Sequence, residues 1–120
     1  MEKLTNKEEQ AMQVLWKIKR GFVKDLLEVF PQPKPHYNTL SSLIRLLEEK
    51  GFVGHKAYGN THEYFPIITK DDYQKEYMSD IVDTYFEKSY KNAVSFFARE
   101  QNISIEELKE IINMIEKGKK

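Results

Sequence analysis

Residues 35–66, PHYNTLSSLIRLLEEKGFVGHKAYGNTHEYFP, combine the pattern of an amphipathic helix with that of a two-stranded hairpin. In the first half, apolar residues recur at the i, i+3, i+4, i+7 spacing of one helical face: Leu40, Leu43, Ile44 and Leu47. Gly51 follows at the position that suits a left-handed helix end. Two strand-like runs, 52–58 and 61–65, are then joined by Gly59-Asn60, a dipeptide typical of tight turns.

This order, a helix stopped by glycine and followed by a hairpin, is typical of a winged helix-turn-helix domain, in which the hairpin is the wing. Outside the apolar face, the predicted 37–50 helix carries short polar side chains and one cation, which suit contact with base edges in a DNA major groove. The predicted DNA-contacting residues of this helix are Tyr37, Asn38, Thr39, Ser41, Ser42 and Arg45. The predicted phosphate contacts of the 52–65 wing are Lys56, Asn60 and His62.

Two acidic residues predict which end of the helix faces DNA. Glu48 and Glu49 lie near its C-terminal end, where they would repel phosphates. The N-terminal half, residues 37–45, is therefore expected to enter the groove, and the helix dipole at that end also favours phosphate.

Composition limits the classes of protein that the chain can represent. Its 120 residues suffice for one domain, or a small domain with an appendage. The absence of cysteine excludes disulfides, thiolate metal sites and cysteine nucleophiles. With no apolar run long enough to span a membrane and no signal-peptide pattern in MEKLTNKEEQ, we expect a cytoplasmic protein. The net charge is zero, but residues 1–68 carry ten Lys and Arg against eight Asp and Glu, so DNA binding would depend on clustered cations.

Two further helices are predicted before the central segment. Thr5 and Glu8 have the spacing of a capping box, and the apolar residues that follow include Trp16, interpreted as a core residue. A second, short helix starts near Val23 and is closed by Pro31. The proline-rich segment 31–35 is predicted to be an extended connector.

The C-terminal part predicts a helical dimerisation region. Apolar and aromatic residues over 73–97 predict one helix of about 25 residues, or about 37 Å. Ser104 and Glu107 resemble a second capping box before a last amphipathic helix. Two such helices cannot bury both apolar faces, which favours a two-fold homodimer over helices that fold back on the first domain. The predicted dimerisation residues are Tyr77, Met78, Ile81, Tyr85, Phe86, Leu108, Ile111, Ile112 and Ile115.

The fold class predicted from these observations is mainly α with a small β-hairpin. A winged helix-turn-helix DNA-binding domain is expected over 1–68 and a helical dimerisation domain over 69–120.

The chain resembles the penicillinase-repressor (BlaI/MecI-type) family of winged-helix transcriptional regulators over essentially its whole length. Its first helix fits the family pattern E-x-x-x-M-x-x-h-W, and its third helix fits T-h-x-T-h-h…K-G, in which h is apolar. The matching residues are Glu8, Met12, Leu15, Trp16, Thr39, Leu40, Ser42, Leu43, Ile44, Lys50, Gly51, Tyr64, Phe65 and Pro66.

The resemblance implies a dimeric repressor that binds double-stranded DNA and that a membrane sensor-protease inactivates. The chain departs from the family in three places. The usual arginine of the third helix is replaced by Leu46, with Arg45 one position earlier. The cysteine cluster of copper-responsive members is absent. The Asn-Phe bond that is cut in β-lactam-responsive members corresponds to Phe96-Phe97.

Other functions are less consistent with the sequence. No arrangement of residues predicts a catalytic site, a cofactor or a metal, since His55 and His62 on the hairpin lack a third ligand. The alternative to DNA binding is a winged-helix protein-docking module whose aromatic C-terminal helix binds a partner or ligand. Salt-dependent binding to duplex DNA distinguishes the two.

Overall fold

The computed structural model describes residues 2–118, which form six helices and one two-stranded antiparallel sheet. The chain divides into two compact units, Met1–Tyr77 and Met78–Lys120, and each is described by itself. None of the helices within 2–118 is long and apolar enough to cross a membrane. In chain order, the elements are α1 (Asn6–Ile18), α2 (Val23–Val29), α3 (Tyr37–Glu49), β1 (Val53–Tyr58), β2 (Thr61–Pro66), α4 (Lys70–Tyr85), α5 (Tyr90–Glu100) and α6 (Ile105–Gly118).

The first unit is built on α1, α2 and α3, which pack against one another and against the hairpin. Helix α1 begins at the predicted capping box: the Thr5 N–H donates to Glu8 Oε1 at 2.8 Å, and the Glu8 N–H donates to Thr5 Oγ1 at 3.2 Å. The predicted apolar face of α3 is confirmed: Leu40, Ile44 and Leu47 are fully buried, and Leu43 is partly buried against the same core. The buried core of the unit comprises Leu4, Ala11, Met12, Val14, Leu15, Val23, Leu26, Phe30, Leu40, Ile44, Leu47, Phe52, Val53, Tyr64 and Tyr73.

The hairpin is confirmed with nearly the predicted limits. Its register pairs Val53 with Pro66 and Tyr58 with Thr61, and Gly59 opens the turn with φ of 60°. Gly21, just before α2, joins the hairpin as an isolated bridge: its N–H donates to the Tyr64 carbonyl at 3.0 Å, and the Tyr64 N–H donates back at 2.8 Å. These two bonds attach the wing to the helices.

Gly51 ends α3 as predicted, with φ of 84° and no neighbouring atom that a β-carbon would meet. Gly51→Ala is therefore expected to lower the free energy of unfolding by about 1 kcal/mol, through backbone strain alone. Gly51→Asn should cost less, because asparagine adopts this conformation more readily. Urea denaturation of both variants measures the difference, and an alanine variant as stable as the wild type would contradict the explanation.

The first turns of α4 complete the core of the first unit. The ring of Tyr73 lies 5.7 Å from that of Trp16 and 6.0 Å from that of Phe52, between ring centroids. The Tyr73 hydroxyl donates to Glu9 Oε2 at 3.0 Å, and the Trp16 indole N–H donates to the Ile68 carbonyl at 2.9 Å. Burial, together with the Glu9 carboxylate, raises the pKa of Tyr73 to about 12. The prediction that Trp16 belongs to the core is thus confirmed.

The prediction of one continuous helix over 73–97 is wrong. The helix stops at Tyr85, and Glu87 and Lys88 both take positive φ, 50° and 65°. A new helix then starts, capped by the Ser89 hydroxyl, which accepts from the Asn92 N–H at 3.1 Å. The turn brings Phe86 against two aromatic residues of α5, with ring centroids 5.4 and 6.1 Å away. The length argument for a dimer therefore fails, because part of the aromatic stripe packs within its own unit.

The last helix, α6, is amphipathic but has no buried residue in the described chain. The Ser104 hydroxyl accepts from the Glu107 N–H at 3.1 Å, as expected of an N-cap, and donates to Glu107 Oε1 at 3.4 Å, so the glutamate bond is to the serine side chain and not the backbone bond of a capping box. Its apolar side chains remain largely exposed, among them Ile105, Ile111, Ile112 and Ile115. The residue boundary predicted for the functional domains, between 68 and 69, stays a prediction.

Candidate nucleic-acid interface

Helix α3 presents two polar strips away from the core. Tyr37, Ser41 and Arg45 repeat every four residues and form the strip on the side of the wing. The outer strip contains Asn38, Thr39 and Ser42, all of them exposed. The Arg45 guanidinium bridges the strips, because its Nη2 donates to Ser42 Oγ at 3.3 Å.

An open groove of about 380 Å³ separates α3 from the wing. Five of the predicted DNA-contacting residues meet in it, three from α3 and two from the hairpin. The start of α2 supplies the remaining wall. The lining residues are Phe22, Val23, Lys24, Tyr37, Ser41, Arg45, Asn60, Thr61, His62 and Tyr64.

Lys56 does not line this groove. Strand alternation places it on the hairpin face opposite His55 and His62, and its register partner is Glu63. Its ammonium lies 5.3 Å from the ring centroid of Tyr58. Lys56 is exposed, but it belongs to a different surface of the wing from the other predicted contacts.

The two histidines of the wing are in contact. The rings of His55 and His62 stack with centroids 4.1 Å apart and planes 7° apart. His55 Nδ1 also contacts Glu48 Oε2, which joins the wing to the C-terminal part of α3. Within residues 2–118, no group of three or more His, Cys, Asp or Glu side chains is placed to hold a metal ion.

The groove contains residues that sequence reasoning missed. Lys24 and Phe22 belong to the start of α2 and precede α3 by more than a dozen positions, so no spacing indicates that they meet it. Tyr64 forms the buried floor of the groove. Its pKa is raised above the usual value of 10.0, first by burial and then by the nearby Glu48 carboxylate, so its hydroxyl stays protonated at neutral pH.

An ion pair fixes the far end of α3. The Lys50 ammonium lies 2.6 Å from Glu8 Oε2 and 3.2 Å from Glu2 Oε2. Burial of the Glu8 carboxyl favours its neutral form, but Lys50 and the bonds from Thr5 outweigh burial and hold its pKa below the usual value. The hydrogen bond to Glu8 in turn raises the pKa of Lys50. The contact links the first and third helices through two residues that are 42 positions apart.

Three packed helices, a hairpin after the third and a polar strip facing a groove define a winged-helix protein. The chain belongs to the penicillinase repressor family, whose model matches residues 4–117. It is similar to the methicillin resistance regulatory protein MecI of Staphylococcus aureus strain N315, at 20% identity over 115 residues, which cover 95% of this chain and 94% of that protein. The protein of the same name from Mammaliicoccus sciuri is 19% identical over the same shares. The family is one of transcriptional repressors rather than enzymes.

Proposed function

We propose that this protein represses transcription as a homodimer that binds a palindromic operator in double-stranded DNA. In each protomer α3 enters the major groove and the hairpin contacts the flanking backbone. The observation that carries the proposal is the groove itself, because predicted DNA-contacting residues of the helix and of the hairpin line the same cavity. Membership of a repressor family supports it. Such a repressor acts where the DNA is, in the cytoplasm.

The contacts in this proposal divide between bases and phosphates. The exposed outer strip, Asn38, Thr39 and Ser42, offers amide and hydroxyl groups to base edges. Tyr37, Ser41 and Arg45 border the groove, where the Arg45 guanidinium reaches either a base or a phosphate. On the wing, Lys56, Asn60 and His62 contact phosphates, with Lys56 meeting a different stretch of backbone because it lies on the opposite hairpin face.

The proposed dimer is held by the C-terminal unit. The exposed apolar face of α6 requires a cover, and a second copy of the same face supplies one by two-fold symmetry. Met78 and Tyr85 of α4 are also exposed and extend the set. Tyr77 is partly buried against the core of the first unit, so its contribution to the dimer is smaller than that of α6.

The proposal that a membrane sensor-protease inactivates this repressor rests on the family resemblance alone. The Phe96-Phe97 bond lies inside α5, and the Phe97 carbonyl accepts from the Gln101 N–H at 3.0 Å. A protease needs extended backbone in its active site, so cleavage there would require α5 to unwind first.

Arg45→Ala tests the proposed interface. If the guanidinium contacts a base, operator affinity is expected to fall by about 1–3 kcal/mol, a factor of about 5–150. Arg99→Ala, which removes the same side chain from α5, is the matched control and should bind like the wild type. Electrophoretic mobility shifts on a footprinted genomic fragment measure both variants. Unchanged affinity would remove Arg45 from the interface, and no salt-dependent DNA binding by the wild type would favour the protein-docking function.

A further inference from the structure

Leu46 is an exposed aliphatic residue on the polar side of α3. The other large aliphatic residues of the helix face inward, and Leu40, Ile44 and Leu47 are fully buried, whereas Leu46 keeps 42% of its surface exposed. It lies four residues after Ser42 and seven after Thr39, so it continues the outer strip by one turn. Packing within the first unit therefore does not explain why this position is leucine.

We propose that Leu46 contacts the 5-methyl group of a thymine and thereby selects an A·T pair in each half-site. The inference rests on the proposed function, since it requires that the outer strip faces DNA. The thymine methyl is the apolar group that bases present in the major groove, and aliphatic side chains recognise it by contact. Asn38 and Ser42 offer hydrogen bonds and Thr39 a single methyl group, so Leu46 has the largest apolar surface of the strip for this contact.

The geometry of the helix agrees with this assignment. Seven residues separate Thr39 from Leu46, which is about 10 Å along the helix axis. Base pairs are spaced by about 3.4 Å, so the strip extends over about three of them. Glu49, about one turn beyond Arg45 and Leu46 on the exposed side, introduces a negative charge that phosphates repel. Leu46 is thus the last position at which the strip can approach DNA closely.

Replacing thymine by deoxyuridine tests the contact, because it removes the methyl group and leaves base pairing intact. The operator is first located within a bound genomic fragment by footprinting with the whole chain. Each thymine of one half-site is then replaced in turn. For the wild type, one replacement is expected to weaken binding about fourfold, the factor that corresponds to burying one methyl group. For Leu46→Ala, the same replacement should have no effect.

A matched control separates this contact from a general effect of losing apolar surface. Val29→Ala shortens another exposed aliphatic residue, at the end of α2, and should keep the wild-type response to deoxyuridine. Thermal unfolding checks that Leu46→Ala is folded, as expected for an exposed position. Equal responses of the wild type and Leu46→Ala at every thymine would overturn the inference while leaving the proposed function intact. Failure to recover any specific fragment would overturn the proposed function, and the inference with it.

Discussion

Ile112→Asp is expected to convert the proposed dimer into a monomer and to weaken operator binding by about 10²–10⁴-fold. Ile112 lies in the middle of the apolar face of α6 and is 53% exposed. A carboxylate there would be desolvated, without a partner, in any interface that covers this face. Because two linked half-site contacts gain affinity from their connection, loss of the dimer removes that gain without changing α3.

The position that is substituted decides whether the result reports on the dimer interface or on the fold of the second unit. Ile81→Asp and Phe86→Asp also test the dimer, but Phe86 packs against Phe96 and Phe97 within its own protomer. A charge at Phe86 would disturb the fold of the second unit as well as the interface. Asn113→Asp introduces the same carboxylate on the polar side of α6 and is the matched control. Sedimentation equilibrium distinguishes the variants, and an Ile112→Asp protein that remains dimeric would place the interface elsewhere.

Glu8→Gln is expected to lower the free energy of unfolding by about 1.5–3 kcal/mol at neutral pH, the range for hydrogen bonds to a charged group. Glu8 is only 1% exposed, and its carboxylate serves both the capping box and the Lys50 ammonium. Glutamine keeps an acceptor for the Thr5 N–H but carries no charge for Lys50. Glu28→Gln removes an exposed carboxylate from α2 and should change stability little. Urea denaturation measures both variants.

The pH dependence gives the same experiment a second readout. The pKa of Glu8 in the folded protein lies below its usual value of 4.5. The ion pair therefore stabilises the fold fully above that value, and its contribution is lost as the pH falls through the folded pKa. The stability difference between the wild type and Glu8→Gln should accordingly shrink under acid conditions. A difference that is independent of pH would show that the glutamine acts through packing instead of charge.

The sequence predicted the first unit better than the second for a physical reason. Local signals defined its elements: the Thr5 cap, the apolar spacing in α3, Gly51, and the Gly59-Asn60 turn each specify a backbone conformation over a few residues. In the second unit, apolar periodicity continued through 86–90 without glycine or proline, so it concealed the turn at Glu87 and Lys88. Ser89, a good N-cap residue, was the available signal.

The candidate site shows the same division between local and distant information. The exposed positions of α3 followed from its periodicity. The approach of Phe22 and Lys24 to the groove did not, because it depends on how α2 packs beneath the hairpin. The ion pair between Glu8 and Lys50 could not be predicted either, although both residues belong to the sequence patterns that indicated the family. Contacts between distant residues depend on tertiary packing, which single-residue spacing does not encode.

The wing is attached to the helices at two places, through the backbone pairing of Gly21 with Tyr64 and through the contact of His55 with Glu48. The two contacts lie on the same rung of the hairpin, because His55 and Tyr64 are register partners, and the His55 ring also stacks on that of His62 nearer the turn. Both strands of the wing are thus held against the helices without a ligand. A surface that is already ordered loses little conformational entropy on association, so most of the free energy of contact remains available to discriminate one sequence from another.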